Sequence, residues 1–448
     1  MKKLFGTDGI RAVAGQPPLD VPTIYAIGLA LAHILAAKVL SPRVLLGMDT
    51  RESSDWIAAT LAAGLTDGGA SVENAGVITT PAIAFLTHTH HFAAGVVISA
   101  SHNPWQDNGI KLFGSDGYKL PDAVELAIEE EIFRKLAGLA MPPRRSNPPY
   151  VNEGDRAEYV RFLLEAVPGL SLDGRRIIID CANGAASSVA PQLFSSLGGE
   201  VIITHASPDG RNINEGCGAL HPDIVAAQVK HHRASMGITF DGDADRALFA
   251  DGDGHVINGD AVLLLAGRDL QARGLLANST IVATTMSNMG LEAALKRSGI
   301  RMLRAAVGDK YVLEQMIATG AALGGEQSGH IIFSGRSTTG DGLLTALLLL
   351  DIVHRSGKSL AELVADLKVF PQVIVNVKVR EKRPLEDIPA VAAAIRSAEG
   401  ELADSGRVVI RYSGTEALAR VMIEAESELL MRHHANAIAD AIRTELGI

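Results

Sequence analysis

The segment 98–111, ISASHNPWQDNGIK, places a serine, a histidine and a lysine in one short stretch. It follows the apolar run Ala94–Ser99, which is typical of a buried strand, so Ser101 and His102 should lie at that strand's carboxyl end, where open α/β sheets bind ligands. A serine hydroxyl is a weak nucleophile at neutral pH and needs a base or a metal ion. The segment is therefore a candidate nucleophile site, and a polar turn with a satisfied histidine is the alternative that it leaves open.

Three aspartates stand at alternate positions in the segment 240–246, FDGDADR, which also follows an apolar run. Asp241, Asp243 and Asp245 would repel one another unless a hard cation bound them, and Mg²⁺ prefers such oxygen ligands. An EF-hand is excluded, because its sixth and twelfth positions would be Arg246 and Gly252 instead of glycine and glutamate. The spacing favours a metal site over a solvated acidic turn.

The segment 411–420, RYSGTEALAR, predicts a phosphate-binding loop. A glycine flanked by hydroxyl groups lets backbone N–H groups converge on a phosphate, and arginines add charge-assisted contacts. A plain hairpin turn would explain the Ser-Gly pair but would not require two arginines. The candidate ligands are Arg411, Ser413, Gly414, Thr415 and Arg420.

Three further segments are weaker candidates. The GGEQSGH segment offers the carboxylate of Glu326, the hydroxyl of Ser328 and the imidazole of His330, a set suited to sugar hydroxyls. The GTDGIR and GMDTR segments end in Arg11 and Arg51. Taken singly, these two are better interpreted as ordinary turns with surface arginines.

The chain has 448 residues, too many for one hydrophobic core, so we expect several domains. Its formal net charge of -10 favours neither a nucleic acid nor a membrane as a partner, and an anionic ligand would need local cations or a metal ion. Cys181 and Cys217 cannot build a disulfide framework, the first residues lack a signal-peptide core, and the apolar run Leu343–Val353 is too short to span a bilayer. These observations predict a cytoplasmic protein.

Short apolar runs alternate with glycine turns and amphipathic stretches from Val21 to Phe370, which predicts mostly parallel sheets covered by helices. Alternating valines from Val373 onward instead predict a strand with one wet face. We therefore expect three similar, mostly parallel α/β sandwich domains and a smaller C-terminal α+β domain. The proline-rich segment 141–150 and the turn-rich segment 251–259 suggest boundaries that give domains 1–150, 151–251, 252–370 and 371–448.

Together and in this order, the motifs resemble those of the α-D-phosphohexomutase family from Gly6 to Arg420. The DCANGA, MSNMG and VGDKYV segments at 180–185, 286–290 and 307–312 fit the same family. At the position of Gln327 the chain resembles the family members that act on an amino-sugar phosphate, whereas relatives that act on mannose or glucose phosphates usually carry methionine there.

The resemblance implies a role for each motif. Ser101 would be phosphorylated and would hold Mg²⁺ together with Asp241, Asp243 and Asp245. The catalytic group comprises Arg11 and Lys111, which would flank the transferring phosphoryl group, Lys111 and His330 as the acid–base candidates, and His102 beside the serine.

The substrate-binding group has two parts. The substrate would be bound by Arg246, Glu326 and Ser328, and the non-reacting phosphate by Arg411, Ser413, Gly414, Thr415 and Arg420.

The implied reaction interconverts glucosamine 6-phosphate and glucosamine 1-phosphate through a sugar 1,6-bisphosphate, at the entry to peptidoglycan amino-sugar synthesis. The family likeness further implies four domains around a central cleft, a homodimer, and activation by bisphosphate, a kinase or autophosphorylation. Three alternatives stay open: a mutase for glucose or mannose phosphates, a phosphatase, and an inactive paralogue that senses sugar phosphates.

Overall fold

The computed structural model describes residues 3–138, 150–413 and 417–448. The chain divides into two compact units, Met1–Met286 with Met302–Val364 and Ser287–Arg301 with Ala365–Ile448. Most of the proline-rich segment, and Gly414 and Thr415 of the predicted phosphate loop, lie outside the described residues. Within the described ranges, no helix combines the length and the apolar character that a bilayer crossing needs.

The first sheet of the larger unit has the strand order β1-β5-β4-β2-β3. Strands β2, β3 and β4 are parallel, whereas β5 and β1 are added in antiparallel orientation at one edge. One face packs against α1, α2 and α4, and on the other Gly47 and Gly95 leave room for Ile83 of α3. The elements are β1 (Ile10–Val13), α1 (Val21–Ala36), β2 (Arg43–Met48), α2 (Ser54–Asp67), β3 (Ser71–Val77), α3 (Thr80–Thr89), β4 (Ala94–Ile98), β5 (Asp107–Gly114) and α4 (Asp122–Ala137).

The second sheet repeats this plan with the order β10-β9-β8-β6-β7. Its parallel core comprises β6, β7 and β8, and β9 and β10 extend it in antiparallel orientation. The parallel strands coincide with the predicted apolar runs. The elements are α5 (Glu153–Glu165), β6 (Arg176–Asp180), α6 (Ala190–Ser195), β7 (Glu200–Thr204), α7 (Pro222–His232), β8 (Met236–Phe240), β9 (Ala247–Asp251) and β10 (Val256–Ile257).

The third sheet has the order β12-β11-β13-β14 and ends in an antiparallel hairpin between β13 and β14. The apolar run near 343–353 is a core helix, α11, as predicted, and Asp341 caps its first turn by accepting a hydrogen bond from Leu344 N–H. The elements in the larger unit are α8 (Gly259–Ala272), β11 (Thr280–Thr284), β12 (Arg301–Ala305), α10 (Asp309–Thr319), β13 (Leu323–Gly325), β14 (Ile331–Phe333), α11 (Gly342–Ser356) and α12 (Leu360–Val364).

The smaller unit is built around an antiparallel sheet of order β15-β17-β16 with its own apolar core. The side chain of Ser427 caps the last helix by accepting a hydrogen bond from Leu430 N–H. The elements are α9 (Met289–Arg297), β15 (Gln372–Lys378), α13 (Pro389–Leu402), β16 (Gly406–Tyr412), β17 (Leu418–Ala425) and α14 (Glu428–Leu446). The predicted fold class is thus confirmed, whereas the exact domain boundaries stay predictions.

Candidate active site

The serine loop begins where β4 ends, as the sequence predicted. Ser101 adopts a left-handed conformation with φ +53° and is only 1% exposed. A non-glycine residue in this region is strained and is held there by its surroundings. Ser99 Oγ supplies part of that support, because it accepts a hydrogen bond from Ser101 N–H at 2.9 Å and donates one to Asp49 Oδ2 at 2.6 Å.

Arg51 holds the serine loop from behind. Its guanidinium donates to the carbonyl oxygens of Ser101 and Asn103, each at 2.8 Å, and pairs with Asp49 at 2.8 Å. Asn214 donates to the Ser101 carbonyl oxygen at 3.0 Å. Arg51 is buried, so the interpretation of the GMDTR segment as a turn with a surface arginine was wrong. The position of that segment directly after an apolar strand was the signal that could have shown this.

The three aspartates meet Ser101 at the carboxyl end of β8. One ligand atom from each of Asp241, Asp243 and Asp245 lies within 4.8 Å of the others, and all three residues are buried. Ser101 Oγ donates to Asp241 Oδ2 at 2.5 Å, and Thr80 Oγ1 donates to Asp243 Oδ2 at 2.5 Å. The serine and the aspartate motif, far apart in sequence, therefore share one site.

This site is electrostatically prepared for a cation. Burial and then the charges of Asp245 and Asp243 raise the pKa of Asp241 to about 8. Asp243 Oδ1 and Asp245 Oδ1 are buried and, among the described residues, accept no hydrogen bond. Lys111 Nζ neutralises part of the cluster from 2.7 Å. A donor set of buried carboxylate oxygens with uncompensated negative charge fits a hard divalent cation such as Mg²⁺.

Lys111 and Arg11 come from the adjacent strands β5 and β1. Lys111 is 1% exposed, and its Nζ also lies 2.9 Å from Asp8 Oδ2. Burial would lower the pKa of Lys111, but Asp243, Asp8 and Asp245 outweigh burial and hold that pKa well above its ordinary value. Arg11 pairs with Asp8 and is partly exposed, so its environment differs from a simple surface turn.

His102 and His330 have opposite electrostatic environments. His102 Nδ1 lies 3.3 Å from Ser101 Oγ, and burial followed by Arg246 and Arg11 lowers the pKa of His102 to about 4. Burial would also lower the pKa of His330, but Asp245 and Asp309 raise it overall. His330 Nδ1 is 3.5 Å from Asp245 Oδ1, so the structure places this predicted site residue against the aspartate cluster.

The loop between β13 and β14 positions His330 together with Glu326 and Ser328. Glu326 Oε2 accepts a hydrogen bond from Ser328 Oγ at 3.1 Å, and its Oε1 accepts one from Gly308 N–H at 3.0 Å. The carboxylate of Glu326 is near enough to Arg246 to contribute to the raised pKa of that guanidinium, although burial opposes the shift. Gln327 instead donates to Asp260 Oδ2 at 3.3 Å.

In the smaller unit, Arg411 and Arg420 stand directly opposite each other on β16 and β17. Like charges at such positions destabilise a sheet unless an anion compensates them. Ser413 is buried at the end of β16, and Lys382 Nζ donates to its carbonyl oxygen at 2.6 Å. Lys382 is thus a further cation beside the predicted phosphate loop, and the sequence analysis did not select it.

The chain matches all four domain models of the phosphoglucomutase/phosphomannomutase family. Alpha/beta/alpha domains I, II and III match residues 2–138, 157–254 and 258–370, and the C-terminal domain matches 374–441. Among solved structures, the chain resembles a phosphoglucomutase/phosphomannomutase family protein from Burkholderia thailandensis, with a TM-score of 0.79, 23% identity and 99% of each chain covered. This likeness concerns the fold alone.

Two relatives carry more specific names. An N-acetylphosphoglucosamine mutase from Aspergillus fumigatus, solved in complex with GlcNAc-6P and magnesium, matches with a TM-score of 0.64 and 20% identity over 98% of this chain and 96% of that one. The phosphoglucosamine mutase of Koribacter versatilis is 61% identical over 100% of this chain and 98% of its own length. The chain therefore belongs to the phosphoglucomutase/phosphomannomutase family and, within it, to the phosphoglucosamine mutases, which are phosphoryl-transferring isomerases.

Proposed function

We propose that Ser101 carries the transferable phosphoryl group of an enzyme that interconverts glucosamine 6-phosphate and glucosamine 1-phosphate. The observation that carries this proposal is the position of Ser101 Oγ, 2.5 Å from one carboxylate of the buried aspartate cluster. In the forward reaction the serine O–P bond breaks and a bond forms between phosphorus and sugar O1. The sugar hydroxyl proton leaves to a base and the serine oxygen gains a proton. The bisphosphate then turns over, and its O6 phosphoryl group returns to the serine by the reverse exchange.

Asp241, Asp243 and Asp245, together with the phosphate on Ser101, would hold Mg²⁺. The ion would neutralise charge on the phosphoryl oxygens and so favour attack of the sugar hydroxyl on the phosphorus atom. Lys111 leaves the three carboxylates with a net negative charge, and a doubly charged cation would balance it. The Asp243 and Asp245 oxygens without hydrogen bonds support this assignment.

Lys111 and Arg11 would stabilise the transferring phosphoryl group as fixed positive charges. The raised pKa of Lys111 favours this role over that of a base, because the ammonium group stays protonated at neutral pH. The raised pKa of His330 suits a proton donor, whereas burial and neighbouring arginines lower the pKa of His102 to about 4, so His102 is neutral beside Ser101. We therefore assign proton transfer to His330 and give His102 a supporting role beside the serine.

Substrate binding would involve two groups of residues, one for the sugar and one for a phosphate. Glu326 and Ser328 would hold sugar hydroxyls, and Arg246 would contact a phosphate from the edge of the aspartate loop. Arg411, Ser413, Gly414, Thr415 and Arg420 would hold the phosphate that is not reacting. The register of β16 and β17 supports the last assignment, since it brings two guanidinium groups to one place where they could bind one phosphate.

A mutase for glucose or mannose phosphates is the second candidate. The sequence argument against it rested on Gln327, and the hydrogen bond from Gln327 to Asp260 favours a structural role for that side chain. An inactive sugar-phosphate sensor is disfavoured by the assembled site, and a phosphatase by the separate set of phosphate ligands. Amino-sugar specificity would then depend on residues other than Gln327.

We further propose that a sugar 1,6-bisphosphate loads Ser101. The serine is 1% exposed, so a small bisphosphate reaches it more easily than the active site of a kinase does. Autophosphorylation would also avoid that obstacle. A homodimer in the cytoplasm fits the family, and the buried free thiols of Cys181 and Cys217 fit a reducing compartment.

The test is a comparison of turnover on glucosamine 6-phosphate, glucose 6-phosphate and mannose 6-phosphate with Mg²⁺ and a trace of sugar bisphosphate. We expect a strong preference for the amino sugar and no release of inorganic phosphate. Equal or faster turnover of the neutral sugars would discard the specificity, and steady phosphate release would indicate a phosphatase.

A further inference from the structure

Lys119 lies behind the candidate acid–base groups and contacts two carboxylates from distant parts of the chain. Its Nζ is 2.5 Å from Asp8 Oδ1 and also pairs with Asp309 Oδ2. Asp8 belongs to the turn before β1, and Asp309 is the first residue of α10. The side chains of all three residues are less than one-fifth exposed, so water screens these ion pairs only weakly.

Asp8 links Lys119 to Lys111 and Arg11, the two cations assigned to the phosphoryl group, by accepting contacts from all three. Its second oxygen, Oδ2, lies 2.9 Å from Lys111 Nζ and also pairs with Arg11. Gly9 keeps this turn close to β5, because with φ +76° a Cβ there would approach the carbonyl oxygen of Ile110 to 2.4 Å. Asp8 therefore connects three cations while the turn that carries it is fixed in place.

Asp309 links Lys119 to the candidate proton donor, His330. The carboxylate atom that pairs with Lys119, Oδ2, lies 3.6 Å from His330 Nε2. The opposite ring nitrogen, Nδ1, faces Asp245. The imidazole thus lies between a carboxylate of the metal cluster and a carboxylate that Lys119 holds, and its Nε2 also accepts a hydrogen bond from Gly340 N–H at 3.1 Å.

The charge balance of Lys119 supports a permanently charged group at this point. Burial would lower its pKa, but Asp309 and Asp8 outweigh burial and raise the pKa above its ordinary value. Burial would likewise raise the pKa of Asp8, but Lys111, Lys119 and Arg11 hold it well below the usual range. The ion pairs therefore persist throughout the pH range in which the enzyme would work.

We propose that Lys119 is a positioning residue that orients Lys111 through Asp8 and His330 through Asp309. One ammonium group would then fix, from outside the reacting centre, both the cation that stabilises the phosphoryl group and the group that transfers the proton. The inference rests on the proposed function, because it concerns the rate of that reaction. Lys119 itself contacts neither Ser101 nor the three aspartates in any described hydrogen bond or ion pair.

The test compares Lys119→Met with Lys119→Arg and with the neighbouring Lys310→Met. Lys310 is also little exposed but pairs with Asp122 and Glu125 on α4, outside the network, so it controls for the loss of a buried lysine. We expect Lys119→Met to lower kcat by about 100-fold, the size that a misplaced catalytic group produces. KM for glucosamine 6-phosphate should change by less than about 3-fold, since no substrate contact is removed. Lys119→Arg should recover most of kcat, and Lys310→Met should retain it.

A second comparison keeps the proposal testable if Lys119→Met folds poorly. Asp309→Asn leaves Lys119 paired with Asp8 and should lower kcat by about 10-fold. In the double variant Lys119→Arg/Asp309→Asn, the arginine can still pair with Asp8 but no longer with a carboxylate next to His330, so kcat should fall to the value of Asp309→Asn alone. Thermal unfolding of each variant shows whether lost activity follows lost stability.

Three results would overturn the proposal: kcat of Lys119→Met close to that of the wild type, an equal loss in Lys310→Met, or a loss confined to KM. Wild-type protein that fails to convert glucosamine 6-phosphate would instead contradict the proposed function. The two failures are therefore distinguishable in one set of assays.

Discussion

The region around Ser101 and the β16–β17 hairpin of the smaller unit bring together charges of opposite sign. Around Ser101, the protein supplies cations itself: Lys111 serves Asp243 and Asp245, and it also contacts Asp8. On β16 and β17, Arg411 and Arg420 are placed opposite each other, and Lys382 adds a third positive charge nearby. The first region collects buried carboxylates that a divalent cation would bind, and the second collects cations that a phosphate would bind.

This difference in charge corresponds to a difference between catalysis and substrate binding. The reacting centre must hold its charges at fixed distances before the substrate arrives, because preorganised groups cost no reorganisation during the reaction. In the proposed function, the β16–β17 hairpin would only have to bind the phosphate that is not reacting, at either end of the sugar. Changes in the first region should therefore affect kcat, whereas changes in the second should affect KM.

The largest expected effect is that of Ser101→Ala. Removing the hydroxyl that would carry the phosphoryl group should lower turnover by at least about 10³-fold, as for other covalent nucleophiles. Mass spectrometry should detect phosphate on the wild-type serine after incubation with bisphosphate and none on the variant. Ser115→Ala, an exposed serine in the same region, is the control and should keep full activity. A Ser101→Ala protein with substantial turnover would contradict the phosphoserine mechanism.

Asp243→Asn tests the metal part of the first region. The substitution removes one negative charge and one carboxylate ligand from the cluster, so the Mg²⁺ concentration for half-maximal turnover should rise by at least about 10-fold. Mg²⁺ should also raise the Tm of the wild type and hardly that of the variant, because a bound ion stabilises only the state that binds it. Asp253→Asn, in the exposed turn between β9 and β10, serves as the control. An unchanged metal titration would remove Asp243 from the site.

Arg411→Ala tests the second region. A hydrogen bond from a charged group to phosphate contributes about 1.5–3 kcal/mol, so KM should rise by about 10- to 100-fold. The change in kcat should be smaller, because the reacting phosphoryl group is held elsewhere. Arg432→Ala, which removes an exposed arginine of α14 paired with Glu428, controls for net charge. If Arg411→Ala lowered kcat and left KM unchanged, the division between the two regions would be wrong.

The sequence was informative where function is concentrated in a contiguous motif after an apolar strand. Ser101 and the three aspartates could be predicted because both motifs follow β-strands whose carboxyl ends meet ligands in α/β sheets. The part of Gln327 in amino-sugar specificity stays a prediction, because a motif identifies the residue but not the direction of its side chain, which here reaches Asp260.

Contacts between distant segments could not be predicted from one sequence. Lys119 meets Asp8 and Asp309 across 111 and 190 residues, and no local pattern links the three. Arg51 was taken for a surface residue for the same reason, since only the folded loop shows that its guanidinium serves the carbonyl oxygens of Ser101 and Asn103. The antiparallel strands at the sheet edges were also not anticipated, because the first of them in each sheet follows a functional loop and was interpreted as part of it.

The smallest expected effect concerns Asp341, a buried carboxylate without a neighbouring lysine or arginine in any described contact. Burial raises the pKa of Asp341 to about 6, although Leu344 N–H and the Tyr159 hydroxyl, at 2.8 Å, favour the charged form. Because the folded-state pKa exceeds the unfolded one, its contribution to stability is complete below about pH 4 and is lost as the pH rises through 6. Asp341→Asn keeps the helix cap and removes the titration. Relative to the wild type, the variant should therefore gain about 2 kcal/mol in the free energy of unfolding between pH 4.5 and 7.5. Urea unfolding at both pH values measures this difference. A constant difference would show that Asp341 titrates normally, so that burial without a cation leaves a carboxylate of this fold unperturbed.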